Sequence, residues 1–202
     1  MFKKMCAKVI RMKISNEELI KNATVLFWKK GYSAVGMREL QTALDMRPGS
    51  IYHRFKSKDG LFRLVIETYV EDSKSDIEAC SAVPDALAEL ERYFVSVTTC
   101  PGELQYQRQC LLVRTLSDME QLPEAIRQVV VDGMATLKSA FLLVLENAQQ
   151  QGNISQEADL NELAAWLQCQ FVGLRTQAFV CEDDEQTKRL ISRAMSELNN
   201  AA

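Results

Sequence analysis

The stretch MRELQTALDMRPGSIYHRFKSK, residues 37–58, decides the fold of this chain. Leu40, Ala43 and Leu44 fall at helical spacing over residues 37–44, and Asp45-Met46 breaks the pattern. A second short helix follows from about Arg47 to Phe55, with Pro48 in its first turn, where a missing N–H is tolerated. Ile51 and Phe55, four apart, turn that helix onto a core, and Ser57 caps a longer helix behind it. Arg47, Ser50, Tyr52, His53, Arg54, Lys56 and Lys58 are left over. So short a segment cannot bury them all, so most of them face a partner. Cations suited to phosphate, mixed with side chains suited to base edges, point to nucleic acid.

The rest of the chain separates by charge. Residues 1–63 carry 14 Lys/Arg against 5 Asp/Glu, whereas residues 64–202 carry 10 against 22, net charges of +9 and −12. A basic head steers encounter with a polyanion, and an acidic body keeps the remainder away from it. With 202 residues, 47% of them hydrophobic, the chain can bury a core of one body or of a small domain joined to a larger one. The six cysteines, at 6, 80, 100, 110, 169 and 181, form no Cys-x-x-Cys, and His53 is the only histidine. That set is too sparse for zinc, so no metal and no cofactor are expected. The first residues lack the apolar core of a signal peptide, and nowhere do eighteen apolar residues run together. A soluble, reduced, cytoplasmic protein with no membrane partner is the expectation. Nothing before Ser15 resembles a folded element, so residues 1–14 form a disordered extension, and Met1, Met5 and Met12 are each possible starts.

Helix punctuation recurs and strand patterns are nearly absent. Ser15 and Glu18 form a capping box before Leu19, Ile20, Ala23, Leu26 and Phe27, and Gly31 suits the helix end. The helix after Ser57 runs to about Cys80 with Leu61, Leu64, Val65, Thr68 and Tyr69 on one side. Further helices are expected from Pro84 to before Pro101-Gly102, over roughly 104–117, over 123–151 closed by Gly152, and over about 158–180 and 184–199. The fold class is all-α, with about nine helices. An N-terminal three-helix helix–turn–helix domain, 15–60, precedes a larger helical domain, 61–202, and the long fourth helix is shared between the two.

In a helix–turn–helix the first helix crosses the backbone and the early residues of the second enter the major groove. Pro48, Gly49 and Ser50 have little bulk and let the second helix approach sugar-phosphate with its free N–H groups. Tyr52 and His53 follow one turn on, Lys56 and Lys58 meet backbone, and Arg38 and Thr42 suit backbone contacts from the first helix. With Leu26-Phe27, Gly31-Tyr32, Met37-Arg38-Glu39-Leu40 and the block Gly49 to Lys58, the run from Ala23 to Leu64 resembles the DNA-binding domain of the TetR family of bacterial transcriptional regulators. Gln109-Cys110-Leu111-Leu112-Val113 and Phe171-Val172-Gly173-Leu174-Arg175 resemble that family's C-terminal domain more loosely. Two positions depart from the pattern. Gln41 stands where the family has a small residue, and is either an added DNA contact or a solvent-facing side chain. Asp45 stands where it has Gly, and Asp tolerates the left-handed turn.

The resemblance implies a homodimer on a palindromic double-stranded operator, most often a repressor. It also implies a small-molecule inducer, of a kind the sequence does not name, bound in the C-terminal domain, where it shifts the fourth helix and the spacing of the two heads. A spacing mismatch forfeits bivalent binding without unfolding anything. Candidate ligand residues are Tyr69, Tyr93, Phe94, Tyr106, Cys110, Arg114 and Gln170, polar or aromatic side chains on helices that turn inward. Aromatic residues at that spacing equally suit a plain core. Arg114, on an otherwise apolar helix, must reach solvent, pair internally or meet an acidic ligand. The helix at 158–180 is apolar on two sides, so both are buried, one of them by a second copy. Trp166, Cys169, Gly173, Thr176 and Val180, with Ile191 and Met195 of the last helix, are the candidate dimer interface.

Cys110, near a helix start with Arg108 and Arg114 close in sequence, is either a small buried hydrophobe or a thiol tuned to react with electrophiles and oxidants. The chain has no phosphate loop, no metal cluster and no general base in the body. An enzyme is not expected, and a small all-α enzyme or adaptor is the distant alternative.

Overall fold

A computed structural model of the protein describes residues 15–99, 102–181 and 183–199. The extension at 1–14, its alternative starts, and Cys6 and Cys100 lie outside the described residues. Among those described, nine α-helices and no strands occur: α1 (Asn16–Lys30), α2 (Met37–Leu44), α3 (Pro48–Phe55), α4 (Lys58–Ala79), α5 (Ala86–Thr98), α6 (Leu111–Leu116), α7 (Glu124–Gln150), α8 (Leu160–Val180) and α9 (Asp184–Asn199).

Local chemistry accounts for most boundaries. Ser15 Oγ accepts the Glu18 N–H at 3.1 Å and Ser57 Oγ accepts the Gly60 N–H at 2.9 Å, each satisfying an orphan donor of a first turn. A capping hydrogen bond back from a side chain occurs at α2, where the Gly36 N–H donates to Glu39 Oε2 at 3.1 Å. Gly31 and Gly152 stop α1 and α7 with φ of 81° and 82°. Asp45 holds the turn before α3 in the left-handed region, φ 47° and ψ 44°.

Two expectations about helices need correction. Of the stripe assigned to α4, Leu64 and Thr68 are exposed, while Phe62, Ile66 and Val70 are buried beside Leu61, Val65 and Tyr69. The helix packs against α1 as well as α7, so its buried face is wider than one stripe. The single helix expected at 104–117 is a 3₁₀ segment, Gly102–Arg108, followed by the short α6. Cys110 separates them in an extended conformation, φ −62° and ψ 134°.

α4 and α7 make the most extensive helix pairing, and a continuous apolar core runs from Leu19 of α1 to Leu198 of α9. Gly133 lets α4 and α7 come close, because a Cβ there would lie 2.8 Å from Val70 Cγ2. α7 is long and apolar enough to span a membrane by composition, yet Gly133, Leu137, Ala140, Phe141 and Val144 are buried within the fold.

Candidate nucleic-acid interface and interior site

Ile51, 1% exposed, and Phe55, 5% exposed, anchor α3 and thereby turn its other face outward. Arg38, Thr42, Arg47, Pro48, Gly49, Ser50, Tyr52, His53 and Lys56 are all exposed. Pro48 has no N–H, and those of Ser50 and Ile51 both bond to Arg47 O, at 3.0 and 3.2 Å. The first turn therefore keeps the Gly49 N–H toward solvent, a donor at the positive end of the helix dipole. A Cβ on Gly49 would meet nothing within 4 Å. Thr42 Oγ1 donates to Arg38 O at 3.1 Å. Gln41 folds back on its own helix, its Nε2 donating to Met37 O at 3.2 Å.

Lys58 differs from the other basic residues. Its ammonium lies 4.0 Å over the ring of Tyr32, whose hydroxyl donates to Asp59, and partial burial lowers the lysine's pKa. Lys58 therefore helps fasten the loop after α1 to the start of α4.

In the body, the candidate ligand residues come together only in part. Tyr69 bonds to the Cys110 thiol at 3.3 Å, and Arg175 Nη1 donates to the Tyr69 hydroxyl at 3.2 Å. Arg175 Nε also donates to Arg108 O at 2.9 Å, and Nη2 to Gln107 O. Its guanidinium lies 5.3 Å from the Phe171 ring centre. Arg175 is 4% exposed, and among the described residues no carboxylate pairs with it. Burial alone would lower its pKa, but Tyr69, Cys110 and Tyr93 outweigh that and hold it above its ordinary value. Burial first, then the neighbouring Cys110, pushes the Tyr69 phenol up, and burial does the same to Tyr93. Arg108 returns the clamp, donating to Ala178 O at 3.3 Å and lying 2.8 Å from Asp184 Oδ1 as an ion pair without hydrogen-bond alignment.

Tyr93 stands between this cluster and an open cleft of about 500 Å³ lined by Asp76, Cys80, Glu89 and Arg92. Phe94 is fully buried against Phe171 and Phe141, at centroid distances of 4.6 and 6.0 Å, and belongs to the core. Arg114 is also displaced from the predicted site. It donates to Lys30 O at 3.2 Å and to Ser117 Oγ at 3.0 Å, stitching the end of α1 to α6. Of its three predicted fates the guanidinium takes pairing within the chain, with one free carbonyl of a helix end and a serine hydroxyl. Gln170 is half-buried on α8 and makes no hydrogen bond to the cluster. Tyr106 lies at the seam with α1, under Lys29 at 4.7 Å.

On α8 the outward side carries Cys169, Gly173, Phe179 and Val180, all exposed, with Trp166 and Thr176 half-buried. Val180 is 71% exposed, a large apolar area to leave in water. Ile191, 0% exposed, and Met195, 4% exposed, are not on that surface. They pack inward against α5 and α8, because the apolar stripe of α9 is consumed by its own chain; Leu190 is its exposed apolar side chain.

Residues 19–65 match the family model described as "Bacterial regulatory proteins, tetR family", and residues 86–194 match "Tetracyclin repressor-like, C-terminal domain". The chain belongs to the TetR family. TetR-family proteins are transcriptional regulators that bind operator DNA. The HTH-type transcriptional repressor ComR of Escherichia coli K12 is 26% identical over 161 residues, covering 77% of this chain and 75% of its own length. The HTH-type transcriptional repressor BdcR of the same organism is 44% identical over 54 residues, 27% of each chain. Among solved structures, that of a cysteine mutant of the TetR-family regulator CifR, with a 26-bp double-strand operator DNA, superposes with a TM-score of 0.78. It is 25% identical and covers 91% of this chain and 96% of its own.

Two residues of this TetR-family chain escape sequence reasoning. Arg175 stood in a matched segment, but nothing local shows that its guanidinium is buried. Trp28 left no trace beyond its place on α1.

Proposed function

We propose that the chain is a homodimeric repressor, acting in the cytoplasm, that holds a palindromic operator and lets go when a small molecule enters the body. The head comprises residues 15–60 and the body 61–202, with α4 common to both. Arg38, Thr42 and Lys56 hold DNA backbone, while Arg47 and the exposed face of α3 enter the groove. A second copy covers the outward side of α8 around Trp166, Cys169, Gly173, Thr176 and Val180.

The observation that carries the ligand half is Arg175. A cation taken out of water without a counter-charge costs several kcal/mol. An acidic group of an effector, lying against Arg175 beside Tyr69, Cys110 and Tyr93, supplies the missing charge. The test is a panel of small organic acids added to the complex with a duplex that the protein selects from random DNA. Acids that raise the melting temperature should release the duplex, and Arg175→Met should abolish both effects. An Arg175→Met variant that responds like the wild type refutes the ligand half.

A second reading has its own observation, the contact of the Cys110 thiol with Tyr69 next to that guanidinium. In it, an electrophile or oxidant modifies Cys110 and so releases DNA. That the structurally similar operator complex was obtained with a cysteine mutant supports examining it. Cys110→Ser should then keep the duplex under N-ethylmaleimide; equal release from both proteins ends this reading.

A further inference from the structure

Three successive carbonyls, at the end of the 3₁₀ segment and just past it, are taken by side chains from distant elements. Those of Gln107 and Arg108 accept from Arg175 of α8, and that of Gln109 accepts from Trp28 Nε1 of α1 at 2.8 Å. The next residue, Cys110, touches Tyr69. The Trp28 ring in turn meets Tyr69 edge-on, centroids 5.1 Å apart at 80°, and meets Tyr106 at 5.6 Å. Trp28 thus contacts the Arg175–Tyr69–Cys110 cluster twice, through a backbone carbonyl and through a ring face.

Other hydrogen bonds between head and body are of a different kind. Arg114 to Lys30 O, and Ser33 to Asp118 and Gln121, lie at exposed positions, where water replaces a lost partner. Trp28 is half-buried, and its neighbour Phe27 is fixed in the head by Phe62, at 4.8 Å, and Tyr32, at 6.4 Å. A displacement of Trp28 therefore carries α1 and the core of the head with it.

We propose that Trp28 is the residue through which the DNA-binding head senses the state of the Arg175–Tyr69–Cys110 cluster. The proposal rests on the DNA-binding reading and is independent of which effector acts. Anything that draws the Arg175 guanidinium off the carbonyls of Gln107 and Arg108 frees the segment that Trp28 holds by its next carbonyl. Anything that turns Tyr69 moves the ring against which the indole rests.

The test is a double-mutant cycle on affinity for a duplex selected by the wild-type protein. If the wild type selects none, the DNA-binding reading fails before this one is reached. Trp28→Phe keeps a ring but loses the donor to Gln109, and Tyr69→Phe keeps a ring but loses the hydroxyl that meets Arg175 and Cys110. Arg175→Met removes the guanidinium. Each cluster variant should change operator affinity about threefold or more in the parent and by less than about twofold in the Trp28→Phe background, the non-additivity of coupled sites. Equal effects in both backgrounds, or none in either, overturn the proposal. If Arg175→Met fails to fold, Tyr69→Phe carries the cycle alone. A second measurement uses 5-fluorotryptophan, since the chain has two tryptophans and Trp28→Phe assigns the resonances. The Trp28 resonance should shift both on adding the duplex and on Tyr69→Phe, and a resonance that stays put in either experiment overturns the proposal.

Discussion

Gly49→Ala should separate folding from DNA binding with opposite signs. Gly49 sits in the first turn of α3, its φ is not positive, and a Cβ there meets nothing within 4 Å. Alanine should be welcome in the free protein. Replacing glycine in a helix gains up to about 1 kcal/mol in an interior and less at an end, so about 0.5 kcal/mol is reasonable here. For a chain of this size that raises the melting temperature by roughly 1–2 °C. On DNA the same methyl stands at the only free N–H of the turn. Pushing that N–H off a phosphate loses a charged hydrogen bond of about 1.5–3 kcal/mol. With two heads on one operator the loss doubles to about 3–6 kcal/mol, or roughly 10²- to 10⁴-fold in affinity. Scanning fluorimetry and fluorescence anisotropy on a selected duplex measure the two effects. A variant at least as stable as the parent that binds within twofold of it would refute the close approach assigned to α3.

Other outcomes follow from the same geometry. Operator affinity should fall with salt at about 0.9 log units per log unit for each phosphate neutralised. Arg38, Arg47, Arg54 and Lys56 are exposed on each head, so a dimer using all of them has a slope near −7, and a flat response contradicts the interface. Gly60→Ala places a Cβ 2.2 Å from the backbone oxygen of Phe55, and should destabilise the fold by about 2–4 kcal/mol, measured by urea unfolding. Tyr32, Tyr69 and Tyr93 all have raised phenol pKa values, chiefly through burial. The unfolded chain loses those protons near pH 10 while the folded one keeps them, so stability should fall as pH climbs above about 10. Unfolding midpoints unchanged between pH 9 and 11 would contradict that.

The elements that local chemistry dictates were legible. Ser15, Ser57 and Asp45 punctuate the helices by satisfying backbone groups within four residues of themselves, and Pro48 by lacking an N–H where none is needed; such devices are visible in a sequence. The outward face of α3 was legible for a related reason, since Ile51 and Phe55 leave a short helix only one face to expose. What failed depends on distant partners. The stretch 102–110 is rich in helix formers, yet its carbonyls are claimed by Arg175 and Trp28 from elsewhere in the chain. Periodicity showed that α9 has an apolar stripe at Ile191 and Met195 but not whether its own chain or a second copy covers it. Arg114 and Arg175 both sit on helices with apolar stripes, though the first meets a helix end and the second is sealed inside.

Gly133 has a mechanical consequence. It brings α7 against Val70, near the middle of α4, with the 58–69 half on one side and the 71–79 half on the other. Held there, α4 cannot slide along α7 without driving side chains through a backbone, but it can tilt. Each arm is roughly 15 Å long at 1.5 Å per residue. A rod pinned at mid-length works as a rocker: a push of an ångström beside Asp76 and Cys80, at the open cleft, returns as a swing of similar size and opposite direction near Leu61. On the release proposed above, the head would be moved from the far end of the body with no helix melting between them.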